Sequence, residues 1–167
     1  MLSINDNETA IRDYRWSNVD LSSNSTSGVG FIITMGVDQT IKLFDISKNK
    51  AECLFTLRHE SHINTLALSP DNSLLAVGGQ NSEIYVWSLS KDQKLLRSFF
   101  NPSIQSQDAD NEHMQTDMNP LDRAVLDINW SNDGNVIAAA IQNNVVMLDL
   151  KAIIKAPLTN NSIDVMH

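Results

Sequence analysis

Short runs of apolar residues separated by polar turns make up most of this chain. Residues 31–35 and 40–44 are rich in β-branched and aromatic side chains, and residues 36–39 between them have the composition of a turn. No stretch of 12 residues keeps apolar positions at the i, i+3, i+4, i+7 spacing of a helix. The pattern therefore predicts an all-β protein.

The strand–turn–strand pattern recurs along the chain. Residues 36–46 align without gaps on residues 79–89 at an offset of 43, and residues 140–150 give a third copy. A second segment recurs at residues 12–17, 64–69 and 126–131. Several short strands in units of about 43 residues are typical of a β-propeller, in which neighbouring sheets stack around an axis and cover each other's faces. A β-sandwich with accidental internal similarity is the alternative.

Charge and cysteine content restrict the partners and the compartment. The 12 Lys and Arg against 20 Asp and Glu give a net charge of −8, which disfavours broad contacts with nucleic-acid phosphates or anionic membranes. The single cysteine, Cys53, cannot form an intramolecular disulfide, which fits a reducing compartment. There is no signal-peptide pattern and no apolar run of about 20 residues. These features predict a soluble intracellular protein without membrane binding or direct sequence-specific nucleic-acid binding.

No motif indicates catalysis or a cofactor. The 4 histidines and the single cysteine do not show the spacing of a four-ligand metal site. The Gly78-Gly79 pair lacks the Lys-Ser/Thr of a phosphate-binding loop, and no serine lies in a nucleophile elbow. We therefore expect a non-enzyme with no cofactor, no metal and no catalytic residue.

The segment 57–71 resembles the opening of a WD repeat. His59 lies at the position of that family's Gly-His histidine, and residues 69–72 match its serine-proline-acid-glycine turn, with asparagine in place of glycine. The pairs at the Trp-Asp position are Phe44-Asp45, Trp87-Ser88 and Leu148-Asp149. The resemblance implies a WD-repeat β-propeller, and the structural WD positions are then Asp38, Phe44 and Asp45 in the first repeat, His59, Asn81 and Trp87 in the second, and Asp149 in the last.

In the WD family the histidine, a strand hydroxyl, a turn aspartate and the tryptophan form a buried hydrogen-bond chain. The middle repeat has His59, Asn81 and Trp87 at three of these positions, but residues 76–79 offer no hydroxyl. We therefore expect a propeller held together mainly by apolar packing.

Residues 10–152 as a whole look like the C-terminal end of the transducin-β-like subunits of nuclear-receptor-corepressor and histone deacetylase complexes. Three features carry the resemblance: residues 11–17 followed by a Ser/Asn/Gly-rich stretch, an ordinary His-to-Trp repeat, and a last repeat running from 126–130 to the Leu-Asp-Leu of 148–150. The resemblance implies a non-catalytic scaffold and peptide-binding subunit in the nucleus. Its partners would be corepressor and deacetylase components and a basic histone-tail peptide. The alternative is a WD-repeat scaffold of a ubiquitin ligase or trafficking complex, with a cytoplasmic location.

The repeats and this resemblance predict the layout of the chain. A propeller fragment is expected over residues 1–155, with repeats at about 10–50, 51–92 and 93–152 and inner strands at about 11–17, 63–69 and 125–131. A polar insertion occupies 101–122, and 156–167 forms a C-terminal tail. The family's propellers have seven or eight blades, and three sheets cannot close a ring. We therefore expect a piece of a larger propeller, or several copies that complete one.

The strand order of a WD repeat predicts which residues meet a partner. The turns between second and third strands and the loops entering the inner strands share one rim. The first set contains Asp38, Asn81 and Gln142, and the second contains His62 and the segment 101–123 with Asp108, Asp110, Glu112 and Arg123. The carboxylates of 101–122 would form an acidic lip that attracts a basic peptide. A solvated loop without a partner is the alternative.

Overall fold

The computed structural model describes residues 4, 9–17, 30–46, 51–81, 83–89, 95–100, 124–141 and 143–150. These residues form 11 β-strands. The strands are β1 (Ile11–Ser17), β2 (Phe31–Gly36), β3 (Thr40–Asp45), β4 (Glu52–Arg58), β5 (Ile63–Leu68), β6 (Leu74–Gly79), β7 (Glu83–Ser88), β8 (Leu95–Phe100), β9 (Val125–Trp130), β10 (Val136–Ile141) and β11 (Asn144–Asp149). Within these ranges no helix is long and apolar enough to cross a membrane.

The strands form three antiparallel sheets in chain order. Sheet 1 has the order β1-β2-β3-β4, sheet 2 has β5-β6-β7-β8, and sheet 3 has β11-β10-β9. The all-β fold and the three propeller sheets predicted from the 43-residue repeat are therefore confirmed. The strands predicted at 31–35 and 40–44 are present as β2 and β3.

The first strand of each sheet is the predicted inner strand. Side chains link β1 to β5 and β5 to β9, as expected for strands gathered around a propeller axis. The hydrogen bonds are Arg12 Nη1 to Ile63 O at 3.4 Å, Asn64 Nδ2 to Val125 O at 3.1 Å, and Thr65 Oγ1 to Asp127 Oδ1 at 3.2 Å.

The boundaries of the sequence repeats and the boundaries of the sheets are offset by one strand. The strand β4 lies in the second sequence unit, yet it pairs with β3 and closes sheet 1. The end of the propeller fragment at residue 155 and the boundaries of the three sequence repeats remain predictions. The insertion 101–122 and the tail 156–167 lie outside the described residues.

Sheets 1 and 2 meet in a first apolar joint. Every second residue of β2 and β3 points toward sheet 2 and belongs to the buried cluster shared with it. The row from sheet 1 includes Phe31, Ile33, Met35, Ile41 and Leu43, and it packs with Leu66, Leu75, Val77 and Tyr85 of sheet 2. Because both sides are almost entirely apolar, this joint fits the expectation of apolar packing.

Sheets 2 and 3 meet in a second joint with a closer approach. Ala67, Ala76, Ile84 and Val86 of sheet 2 share a buried cluster with Ile128, Trp130 and Ile137 of sheet 3. A Cβ atom on Gly78 would lie 2.5 Å from Cγ1 of Val125 and 2.9 Å from Cδ1 of Ile128. Only glycine therefore allows the two sheets to approach this closely at this point.

The turns after β5 and β9 share one construction. Ser69 Oγ donates to Asp71 Oδ1 at 2.6 Å, and the turn at 131–135 repeats this serine–aspartate bond at 2.5 Å. Asn72 has φ +59° and Gly134 has φ +69°, the left-handed conformation that glycine and asparagine adopt most readily. Asparagine therefore replaces the glycine of the WD turn without changing its shape.

Candidate functional site

Backbone hydrogen bonds bring the two predicted loop sets to one edge of the molecule. Val37 N donates to Ala10 O at 3.0 Å, and Gln80 N donates to His62 O at 3.0 Å. His59 N donates to Gln39 O at 3.0 Å, which joins the turn of sheet 1 to the loop that enters sheet 2. We call this edge, with Asp38, His62 and Asn81, the rim.

The Asp38 carboxylate stabilises the turn that contains it. Its Oδ1 accepts hydrogen bonds from Thr40 Oγ1 at 2.6 Å and from Thr40 N at 3.1 Å. These bonds stabilise the ionised carboxylate, so the Thr40 hydroxyl foremost lowers the pKa of Asp38. A partner that contacts Asp38 would meet a carboxylate already engaged by the turn.

The Asn81 side chain is held by hydrogen bonds to its neighbours in sheet 2. Its Nδ2 donates to Glu83 Oε2 and to the Tyr85 hydroxyl, both at 3.1 Å. The Tyr85 hydroxyl donates to Glu83, and burial with this contact raises the pKa of Tyr85. Among the three predicted contact residues that the structure describes, His62 is the one with an exposed side chain.

His59 lies beneath the rim in a buried position. Its Nδ1 lies 2.9 Å from Ser61 O and 3.2 Å from Ser61 N, and its ring meets Tyr85 edge-on at 4.4 Å between centroids. Burial lowers the pKa of His59, while the Ser61 contact and the nearby Glu60 and Glu83 oppose the shift. The imidazole is therefore neutral and structural, and it anchors the loop that carries His62.

Three buried polar atoms in the described part of the chain have no hydrogen-bond partner: Thr34 Oγ1, His59 Nε2 and Trp87 Nε1. They follow one pattern. At the 43-residue offset Thr34 corresponds to Val77. Sheet 1 therefore keeps the WD hydroxyl, whereas sheet 2 keeps the histidine and the tryptophan. Each sheet has lost the groups that would complete the chain, so the remaining polar atoms are left unpaired.

Thr34 is a position that sequence reasoning missed. Extending the 43-residue offset two residues before the aligned segments places it opposite Val77, and that signal could have identified it. Phe44, predicted at the Trp position, is buried, and Trp87 is partly buried and packs on the first joint. Asp45 and Asp149 end β3 and β11, where they pair with Phe31 and Val136.

Val77→Thr is expected to leave the stability unchanged or to raise it by up to about 1 kcal/mol. Val77 pairs with Tyr85, whose ring contacts His59, and it holds the strand position of the WD hydroxyl, so we expect its new hydroxyl to bond one of the unpaired nitrogens. The matched control is Val86→Thr in the second joint, which buries a hydroxyl among apolar side chains and should cost about 1–3 kcal/mol. Urea denaturation of both variants is the measurement. Equal losses for the two would contradict the hydrogen-bond interpretation.

The buried His59 makes stability depend on pH. Its pKa in the folded state lies below the ordinary 6.5, so the unfolded chain binds the proton more strongly. The contribution of the buried, neutral His59 to the free energy of unfolding is intact above about pH 6.5 and is lost as the pH falls. The loss is at most about 1.4 kcal/mol per pH unit. His59→Gln should flatten this slope in urea unfolding measured between about pH 7.5 and 5.5. An unchanged slope in His59→Gln would refute the assignment.

The remaining predicted contact residues lie outside the described residues: Asp108, Asp110, Glu112, Arg123 and Gln142. Their place on the rim therefore remains a prediction. In the ranges that the structure describes, no group of three His, Cys, Asp or Glu side chains could hold a metal ion. Cys53 is a partly buried free thiol in β4.

A family model described as "KNTC1, N-terminal" matches residues 19–148, which is more than half of the chain. The chain belongs to the KNTC1 N-terminal family. Among curated proteins, a chromatin assembly factor 1 protein of Gallus gallus is 26% identical over 140 residues, covering 79% of this chain and 25% of the relative.

Two shorter matches have higher identity. DNA damage-binding protein 2 of Mus musculus is 34% identical over 73 residues, covering 42% of this chain and 17% of its own length. Cross-pathway control WD-repeat protein 2 of Flammulina velutipes is 34% identical over 64 residues, covering 38% of this chain and 20% of its own length. This KNTC1 N-terminal family member thus spans a quarter or less of these relatives.

The matches and the three sheets together confirm the WD-repeat assignment. The three relatives named here are not transducin-β-like proteins, so the narrower subfamily is not distinguished. No enzyme family is indicated by these matches.

Proposed function

We propose that this chain is the WD-repeat segment of a non-catalytic scaffold in a nuclear chromatin complex. The observation that carries the proposal is the likeness to the chromatin assembly factor 1 protein over 79% of the chain. A match of that length must reach into all three sheets. A second relative, DNA damage-binding protein 2, has a name that refers to DNA, which supports the nuclear location.

The chemistry of the rim supports a scaffold. Each rim-proximal group with a shifted pKa has a local structural partner: Asp38 has Thr40, His59 has Ser61, and Tyr85 has Glu83. Their shifts follow from holding turns and from burial, so they provide no poised acid or base. Scaffold function needs rigid loops on a rigid sheet frame, and these bonds supply that rigidity.

The finer proposal is a corepressor and histone deacetylase complex, supported by the sequence resemblance to the transducin-β-like subunits. Affinity purification of the tagged protein at native expression, followed by mass spectrometry, tests it. Recovery of a histone deacetylase supports the finer proposal. Recovery of chromatin assembly components without a deacetylase would overturn it and leave the broader one standing. Recovery of ubiquitin ligase or trafficking components alone would overturn both.

The peptide-binding part of the proposal concerns the acidic insertion 101–122. Changing Asp108, Asp110 and Glu112 to Ser should weaken binding of a basic histone-tail peptide and flatten its salt dependence, because three attractive charges are removed. Stability should change by no more than about 0.5 kcal/mol per site. Titration by calorimetry at about 50 and 200 mM salt is the measurement.

The control for that titration removes the same charge elsewhere. Asp20, Glu52 and Asp92 changed to Ser alter the net charge equally but lie outside 101–122. Equal binding and equal salt dependence in the two triple variants would show that the insertion is not a peptide-binding lip.

A further inference from the structure

The first strand of each sheet carries a β-bulge at the same place. One extra residue interrupts the pairing of β1 with β2, of β5 with β6 and of β9 with β10, directly after the first paired residue. A bulge leaves its extra residue out of the ladder and re-aims its side chain. The extra residues are Arg12, Asn64 and Leu126, which are also the first residues of the three aligned segments at 12–17, 64–69 and 126–131. The sequence repeat therefore places one re-aimed side chain at the start of every inner strand.

Two of the three bulged side chains reach the next sheet. Arg12 of sheet 1 donates to Ile63 O in sheet 2, and Asn64 of sheet 2 donates to Val125 O in sheet 3. Ile63 and Val125 are equivalent residues, because each lies directly before the bulged residue of its own strand. Each contact thus joins a bulged side chain to the carbonyl beside the next bulge, where the ladder is interrupted. We call these two contacts the clasps.

The third bulge carries a side chain that cannot form a clasp. Leu126 has no hydrogen-bond donor in its side chain, which is 50% exposed. Yet the bulge at Leu126 has the same position in its strand as the other two. The bulge therefore forms without a donor at this position. The donors of Arg12 and Asn64 then serve the contact between sheets rather than the bulge itself.

The clasps lie directly beside the rim loop that carries His62. This loop leads into β5, and His62 O accepts a hydrogen bond from Gln80 N in the turn between β6 and β7. The next two residues of the chain are the acceptor of the first clasp, Ile63, and the donor of the second clasp, Asn64. The end of the His62 loop is therefore bonded to sheet 1 on one side and to sheet 3 on the other.

We propose that Arg12 and Asn64 are positioning residues of the rim, whose clasps fix the height of the His62 loop along the propeller axis relative to both neighbouring sheets. The two joints are apolar, and apolar burial is non-directional. A hydrogen bond to a carbonyl has a defined distance and angle, so it can fix the relative height of two packed sheets. This positioning role does not depend on the proposed function, since it concerns the geometry of the rim and not its partner.

The two clasps differ in strength, and their effects should stay local. The Asn64 bond is 3.1 Å long and its side chain is half-buried, whereas the Arg12 bond is 3.4 Å long and its side chain is exposed. Water competes more strongly for the exposed donor, so we expect the Asn64 clasp to contribute more. The bond from Thr65 Oγ1 to Asp127 Oδ1 joins the same two strands one residue farther from the rim. That bond remains when Asn64 is replaced, so the loss should be confined to the rim end of β5.

Amide hydrogen exchange of the 167-residue chain, followed by NMR at one pH and temperature, tests the proposal. The Gln80 amide, bonded to His62 O, is the rim reporter, and the Ser69 amide, bonded to Leu74 O at the opposite end of sheet 2, is the reference. Asn64→Leu keeps a branched side chain but removes the donor. It should speed exchange of the rim reporter about three- to tenfold and change the reference by less than about twofold. Leu126→Ala, at the bulge without a clasp, is the matched control and should change neither amide.

Variants of Arg12 give a second test, which decides alone if Asn64→Leu does not fold. Arg12→Met removes the donor and should speed exchange of the rim reporter by a smaller factor than Asn64→Leu. Arg12→Lys should restore slow exchange, because its ammonium group can still donate to the carbonyl. Unchanged exchange of the rim reporter in the folded donor-less variants would overturn the proposal. Equal acceleration of the rim reporter and the reference would also overturn it, since that is the result of a general loss of stability, and so would the same acceleration in Leu126→Ala.

Discussion

Trp130→Ala is expected to lower the free energy of unfolding by about 3–5 kcal/mol. Trp130 fills the joint between sheets 2 and 3, is 8% exposed, and donates its indole hydrogen to Ala67 O. Truncation therefore removes a large buried apolar surface and leaves a cavity between two sheets that cannot collapse independently. Urea denaturation followed by circular dichroism, at one fixed protein concentration, measures the loss.

The control for this change separates packing from hydrogen bonding. Trp130→Phe keeps most of the apolar surface but removes the indole donor, so it should cost only about 1–2 kcal/mol. A loss below about 1 kcal/mol in Trp130→Ala would contradict the placement of Trp130 in the joint.

Gly78→Ala is expected to destabilise the protein by about 2–3 kcal/mol, because the new methyl group meets Val125 in the opposing sheet. The contact distance of 2.5 Å to Val125 Cγ1 cannot be relieved by rotating an exposed side chain, since Val125 is fully buried. One sheet must move away from the other, which loosens the whole second joint. The free energy of unfolding in urea again gives the size of the effect.

A double mutant decides whether this clash causes the loss of stability in Gly78→Ala. Val125→Ala removes the nearest atom, Cγ1 at 2.5 Å, but keeps Cβ at 2.8 Å and leaves Ile128 Cδ1 at 2.9 Å, so Gly78→Ala should be less harmful in that background without becoming neutral. We expect the two changes to be non-additive by at least about 1 kcal/mol in the favourable direction. Strict additivity would show that the contact with Val125 Cγ1 is not what makes Gly78→Ala harmful.

The fold could be predicted because its signal is local and repeated. The gap-free match of 36–46 on 79–89 predicted the strands and their turns, and the structure has both hairpins in the same register: Ile33 pairs with Leu43 as Ala76 pairs with Val86. Alternation in β2 then determines which side chains enter a joint.

The candidate site was less predictable because it depends on contacts between sheets and within turns. The strand order of a WD repeat predicted Asp38 and Asn81 as rim residues, but it could not show that Thr40 and Tyr85 already engage them. The difference between exposed Trp16 and buried Trp130 also has no local signal, since both follow the same strand pattern. It arises from which sheet faces another sheet in the described structure.

The most direct test of the stacked-sheet account is a nuclear Overhauser measurement on the chain with labelled alanine methyl groups. Trp130 and Ala67 are 63 residues apart in sequence, yet the indole nitrogen lies 3.0 Å from Ala67 O. The account predicts cross-peaks from the Trp130 indole ring to the methyl groups of Ala67 and Ala76 in sheet 2. Indole cross-peaks confined to alanines of sheet 3, with none to Ala67 or Ala76, would contradict it.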